Sequence, residues 1–171
     1  FFALPLGLLA QSLDPAIQAK VDAQITQIVA LAADPALVQA VREQNAATPA
    51  DYAAMTKEKW KTLPVLDPFV RAFTRNPAAA AIKARKTEFV TEAFVSDAAG
   101  LKVAFLAKTT SFSHKGSPKH EKPLASETWQ GPVEVDESTG QQQLQVAVPI
   151  LDAGKPIGSL VVGLSLTKLS S

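Results

Sequence analysis

The sequence predicts an α+β fold in which N-terminal helices precede an antiparallel sheet of about five strands. Two features carry that expectation. In the first half, proline repeatedly follows a capping residue, the grammar of helix starts. After Lys86 the apolar spacing changes from three-and-four to two. Short polar turns then separate the apolar runs, so consecutive strands are joined as hairpins. With 171 residues, 47% of them hydrophobic and 19% charged, the chain is long enough to bury a core without staples.

The helical half is read from five dipeptides. Pro15, Pro35, Pro49, Pro68 and Pro77 follow Asp14, Asp34, Thr48, Asp67 and Asn76. Each capping side chain can accept from first-turn amides, and proline at the first helical position forgoes an amide that would have had no partner. Thr48-Pro49-Ala50-Asp51 also resembles a capping box, with Asp in the Glu position. Five helices are therefore expected to start at or near residues 15, 35, 49, 68 and 77. Ile17, Val21, Ile25, Ile28 and Ala32 form one stripe on the first helix, and Leu37, Val38 and Val41 one on the second. Trp60 is expected on the third, as a core residue or a ligand wall.

Phe89 to Ser96 is rich in β-branched and aromatic residues; Asp97 to Gly100 is a turn signal, and Leu101 to Ala107 is apolar again. A polar stretch with Gly116, Pro118 and Pro123 reads as loop with a short helix. Val133 to Asp136 is the next strand, and Glu137 to Gly140 the turn after it. Gln143, Gln145 and Ala147 alternate with Leu144, Val146 and Val148, the pattern of a half-buried strand. Asp152 to Lys155 turns into a last strand, Ile157 to Leu166. Asp97 and Asp152 are expected to bond amides within their turns, and Gly158 and Gly163 to mark close backbone approach.

Residues 94–104 read FVSDAAGLKVA, and residues 148–163 read VPILDAGKPIGSLVVG. These segments and their order resemble the single-Cache sensor domain, a PDC-type, PAS-like module found outside bacterial cytoplasms. The resemblance covers roughly Gln11 to Leu169 and implies a domain that binds a small molecule for signal input. It implies a ligand held against one sheet face under the segment between the second and third strands, here Lys108 to Trp129. The commoner form of that segment carries an acidic D-x-x-x-G-D-E pattern, whereas this one is basic. The chain then divides into an apolar segment at 1–10, a helical region at 11–87, and a Cache-like sheet at 88–169 with its ligand loop at 108–129.

Lys108, Lys115, Lys119 and Lys122 stand in that loop against Glu121 alone, together with both histidines of the protein, His114 and His120. Lysine and histidine N–H groups suit a carboxylate or phosphate, hydroxyls such as that of Thr110 add neutral donors, and aromatic side chains supply walls. The candidate ligand-binding residues are thus Trp60, Thr110, Phe112, His114, Lys119, His120 and Trp129. Arg71 is a weaker candidate for a second anion anchor. The competing reading is a solvated loop.

Other functions are disfavoured. The absence of cysteine removes thiol catalysis, cysteine zinc sites and iron–sulfur clusters. Seventeen basic residues against sixteen acidic ones argue against a nucleic-acid footprint. His114, His120 and Glu121 have no zinc-motif spacing, so neither metal nor cofactor is expected. Hydrolase, protease, dinucleotide and phosphate-loop motifs are missing, so no enzyme is expected. Two classes remain: a small-molecule sensor, with a carboxylate as the favoured ligand, or an interaction module without a ligand. In the second class the 15–45 helical region would serve as a homodimer surface. The first ten residues, FFALPLGLLA, fit the end of a signal peptide, the end of a membrane anchor, or an apolar packing segment. The first two readings imply a periplasmic, secreted or otherwise extracytoplasmic domain.

Overall fold

A computed structural model describes residues 12–136 and 139–171. The apolar segment at 1–10 and part of the Glu137–Gly140 turn lie outside those residues. Six helices come first: α1 (Pro15–Ala32), α2 (Pro35–Ala46), α3 (Ala50–Ala53), α4 (Lys57–Thr62), α5 (Pro68–Ala72) and α6 (Pro77–Ala84). Asp14, Asp34, Asp67 and Asn76 cap α1, α2, α5 and α6 through their side chains, as the dipeptides predict. Thr48 departs from the pattern. Its hydroxyl donates backwards to the Gln44 carbonyl at 3.1 Å, so α3 starts without a side-chain cap. The helix bearing Trp60 is a separate one, α4, capped by Thr56, whose hydroxyl accepts from Lys59 N. No described helix is by itself long and apolar enough to cross a membrane.

The sheet half comprises β1 (Val90–Asp97), β2 (Lys102–Phe105), α7 (Pro118–Leu124), β3 (Trp129–Gln130), β4 (Glu134–Val135), β5 (Gln142–Asp152), β6 (Lys155–Ser165) and a final turn of helix, α8 (Leu166–Leu169). The strands form one antiparallel sheet in the order β2-β1-β6-β5-β3, with β4 also on β5. Six strands stand where about five were expected, because the long β5 edge takes up two two-residue strands.

Both sheet faces are covered. On one, α1, α2 and α6 pack Val21, Ile28, Leu37, Val41 and Ile82 against Val95, Val146, Val148, Leu160 and Val162. On the other lies an aromatic cluster of Trp60, Phe73, Phe94, Phe105 and Phe112. The half-buried reading of β5 is therefore corrected. Ala147 is fully buried, and Gln145 lies partly covered, because α7 crosses β5 and β6 on that second face. Asp152 differs too. It bonds no turn amide; its carboxylate takes two 2.8 Å hydrogen bonds from Arg42 on α2.

Gly158 shows why a strand glycine was needed. A Cβ there would run into the Ser96 carbonyl on β1 and the Val41 side chain on α2. Gly163 likewise sits beneath the Thr91 and Glu92 side chains. Gly158→Ala is expected to cost about 1–3 kcal/mol, because backbone must shift to admit the methyl. Chemical denaturation checks this; an unchanged midpoint would show that β1 and β6 separate freely.

Candidate functional site

The β1–β2 hairpin builds one end of the second face. Asp97 accepts from the amides of Ala99 and Leu101, and Gly100 closes the turn with φ of +84°. The Gly100 carbonyl then accepts from His114 N at 2.9 Å, and a Cβ at Gly100 would lie 2.6 Å from Lys115 N. Only glycine allows this approach, and it returns the connecting segment to the hairpin with the His114 ring over the sheet.

There His114 stacks on Phe94, with ring centroids 4.7 Å apart. Lys102 is the centre of the cluster. It is fully buried, with Nζ 2.6 Å from His114 Nδ1, 3.4 Å from Ser96 Oγ and 3.9 Å from the Phe94 ring centre. No carboxylate forms an ion pair with it among the described residues. Burial is the main cause that pushes the Lys102 ammonium well below its usual range, followed by the nearby Lys119; Glu92 and Asp97 oppose the shift. His114 is pushed down to about 3 by burial and then by Lys102, Lys119 and His120.

α7 supplies the other two groups. His120 is buried, with Nδ1 2.8 Å from Ser159 Oγ and Nε2 3.4 Å from the Ala98 carbonyl. A carbonyl only accepts, so the proton sits on Nε2 and Nδ1 accepts from the serine hydroxyl. Burial lowers the His120 pKa, against an opposing pull from the Ala98 carbonyl. Lys119 donates to Gln145 Oε1 at 2.6 Å, and Gln145 Nε2 donates to Glu92 Oε1 at 2.5 Å. This chain of bonds joins α7 to β5 and, across Gly163 of β6, to β1.

The structure thus brings His114, Lys119 and His120 together on one face. The other four candidates lie outside that polar cluster, three of them in or against the aromatic cluster of the same face. Trp60 and Phe112 pack on each other, 5.1 Å between ring centres, deep in the aromatic cluster. The Trp60 indole N–H donates to the Thr109 carbonyl at 2.8 Å, which pins the start of the connecting segment. Thr110 is exposed. Trp129 is half-buried beside Gly131 and paired with Ala147. Arg71 is half-buried on α5. Of the loop lysines, Lys108 donates to the Trp60 and Leu63 carbonyls and Lys122 pairs with Glu127. Glu121 accepts from Gly116 N, and no group of three metal-competent side chains occurs among the described residues.

Sequence reasoning missed Lys102, Ser96, Ser159, Gln145 and Glu92. Single polar residues in apolar strands read as solvent-facing, and only the cover from α7 and the connecting segment changes that. The alternation did mark Gln145 and Ala147 as sharing one face.

No protein-family model matches the sequence, and no curated protein matches it. Solved structures do. The Escherichia coli DcuS sensor domain superposes with a TM-score of 0.52 at 18% identity, over 92% of this chain and 96% of that one. The ligand-binding domain of the Pseudomonas aeruginosa amino-acid chemoreceptor PctC, in complex with GABA, superposes at 0.50 with 16% identity, over 90% of this chain and 56% of that one. These similarities define the fold class as that of sensor and receptor ligand-binding domains. Within that class this chain has the single-Cache, PDC-type fold, spanning about half the length of the PctC domain and nearly all of the DcuS domain.

Proposed function

We propose that this domain is an extracytoplasmic sensor that binds a small carboxylate in the Lys102–His114–Lys119 cluster and passes the event on as signal input, without catalysis. One observation carries the reading. A fully buried lysine amine faces a histidine, a serine and an aromatic ring, with no carboxylate ion-paired to it among the described residues. Burying an amine this way is costly, and an anionic ligand would offset the cost through charge-assisted hydrogen bonds. The fold supports the reading as well, since the PctC domain carries GABA, itself a carboxylate.

The response would follow from differential binding. Carboxylate oxygens compete for Lys119, which otherwise holds Gln145, and for the His114 ring. Ligand therefore favours a different setting of α7 on β5 and β6, and α1 packs on the opposite face of those same strands. A shift carried through the two strands reaches α1 without any covalent step.

A thermal-shift panel of amino acids, mono- and dicarboxylates and purines tests the proposal. A ligand at a hundredfold its Kd is expected to add about 2.7 kcal/mol of stability. Lys119→Ala is expected to weaken such a ligand with little change in the unliganded domain. Lys102→Met is expected to abolish binding while leaving the domain as stable as before or more so, since a hydrophobe replaces a costly buried amine. His120→Ala is a poor probe, because it strips a buried Ser159 hydroxyl of its partner. Silence across the panel, or full binding by Lys102→Met, would return the domain to the interaction-module reading.

A further inference from the structure

The helix-covered face holds a cavity on the opposite side of the sheet from the Lys102 cluster. It has a volume of about 250 Å³ and lies between α1, the end of α6 and the sheet. Its walls are the apolar side chains of Ile28, Leu31, Ile82, Val90, Ala93 and Val162. The cavity opens to solvent, and its apolar walls offer water few hydrogen bonds. The mouth is different in kind. Arg85 and Lys86 flank it from the end of α6, with Gln24 and Gln27 opposite on α1. Arg85 has one loose ion pair, to Asp34 at 3.6 Å, and no acidic residue lines the cavity.

An apolar shaft with a cationic, amide-bearing rim matches one ligand chemistry. We infer that this cavity is a second binding site, for an aliphatic monocarboxylate whose chain enters among Ile28, Ile82 and Val162 while its carboxylate stays at Arg85 and Lys86. The site differs from the first in what it selects. The Lys102 cluster offers amine, imidazole and hydroxyl groups beside one aromatic ring and suits a compact ligand, whereas this one rewards chain length. Its occupant would touch α1 directly, at Ile28 and Leu31, and so bear on the helix that the first site reaches only through the sheet.

The experiment is a calorimetric series on the full chain with butanoate, hexanoate and octanoate, with octylammonium as the control. Affinity is expected to rise roughly fourfold per methylene, the equivalent of ~0.8 kcal/mol of apolar burial. Octylammonium is expected not to bind. Ala93→Leu fills the shaft and is expected to remove octanoate binding. Lys86→Glu is at an exposed position that does not threaten folding, and it is expected to weaken octanoate by about tenfold while sparing the chain-length trend. A flat chain-length series, equal binding of octylammonium, or an unchanged affinity in Lys86→Glu would overturn the inference. Lys102→Met separates the two sites: octanoate binding should survive it, whatever becomes of the panel of compact ligands.

Discussion

Trp60→Ala is expected to destabilise the domain by about 3–5 kcal/mol. The side chain is fully buried, and its ring meets Phe105 edge-on at 6.2 Å and Phe112 at 5.1 Å. Truncation removes that apolar surface and leaves a hole ringed by aromatics that cannot easily collapse. Two further bonds depend on the same place. The indole N–H holds the Thr109 carbonyl, and Lys108 Nζ, 4.9 Å from the ring centre, donates to the Trp60 carbonyl at 2.7 Å. The start of the β2–β3 connection loses one anchor and part of the support for the other. For a chain of this size the melting temperature should fall by about 10 °C or more. Trp129→Ala is the control, expected to cost less because that ring is only half-buried. Equal losses at the two positions would show that the aromatic cluster is not the rigid half of the second face.

Acidification should destabilise the protein well above the pH at which carboxylates titrate. His114, Lys102 and His120 all have pKa values lowered in the folded state, chiefly by burial. A basic group with a lowered folded pKa binds its proton more readily in the unfolded chain, so stability rises with pH across that window and falls as pH drops. For His114 the window runs from 6.5 down to about 3. The full shift would correspond to roughly 5 kcal/mol, and the solvent contact of a half-buried ring reduces this to on the order of 2 kcal/mol. Denaturation between neutral pH and the acid end of that window should show the loss, and His114→Phe should flatten it while keeping the stack on Phe94. A stability profile level through this range would mean that the histidine is charged in place. The proposed carboxylate reverses the logic, because an anion favours protonated Lys102 and His114. Its binding should take up protons and tighten as pH falls from neutral, which calorimetry in buffers of different ionisation enthalpy would record.

Helix starts were legible because their cause is local. An Asp or Asn side chain and the proline after it settle the first turn within four residues, and Asp14, Asp34, Asp67 and Asn76 all cap as read. Thr48 failed for a reason equally local but two-sided: its hydroxyl can serve the helix behind it as well as the one ahead, and it serves Gln44. The hairpin at Asp97–Gly100 followed its residues, while Asp152 found Arg42, a partner on α2 that no turn rule contains.

The candidate site divides along the same line. His114, Lys119 and His120 were found because they cluster in sequence, in one basic connection. Lys102 was not, although it is the most deeply buried charge-bearing group of the four. In the sequence it is one lysine in a short strand, next to a turn, with nothing to mark its face as covered. Phe94 and Ser96 reach it from strand β1, and His114 from a connection a dozen residues on, while Ser159 of β6 holds His120 beside them. Local propensity and period thus determined most elements of this protein, their order and the antiparallel class of its sheet, though not the separate helix of Trp60 or the short strand at Trp129. The tertiary structure alone decided which polar strand residues are withdrawn from water, because burial depends on what is packed above a face, and the chain that covers this one lies far along the sequence.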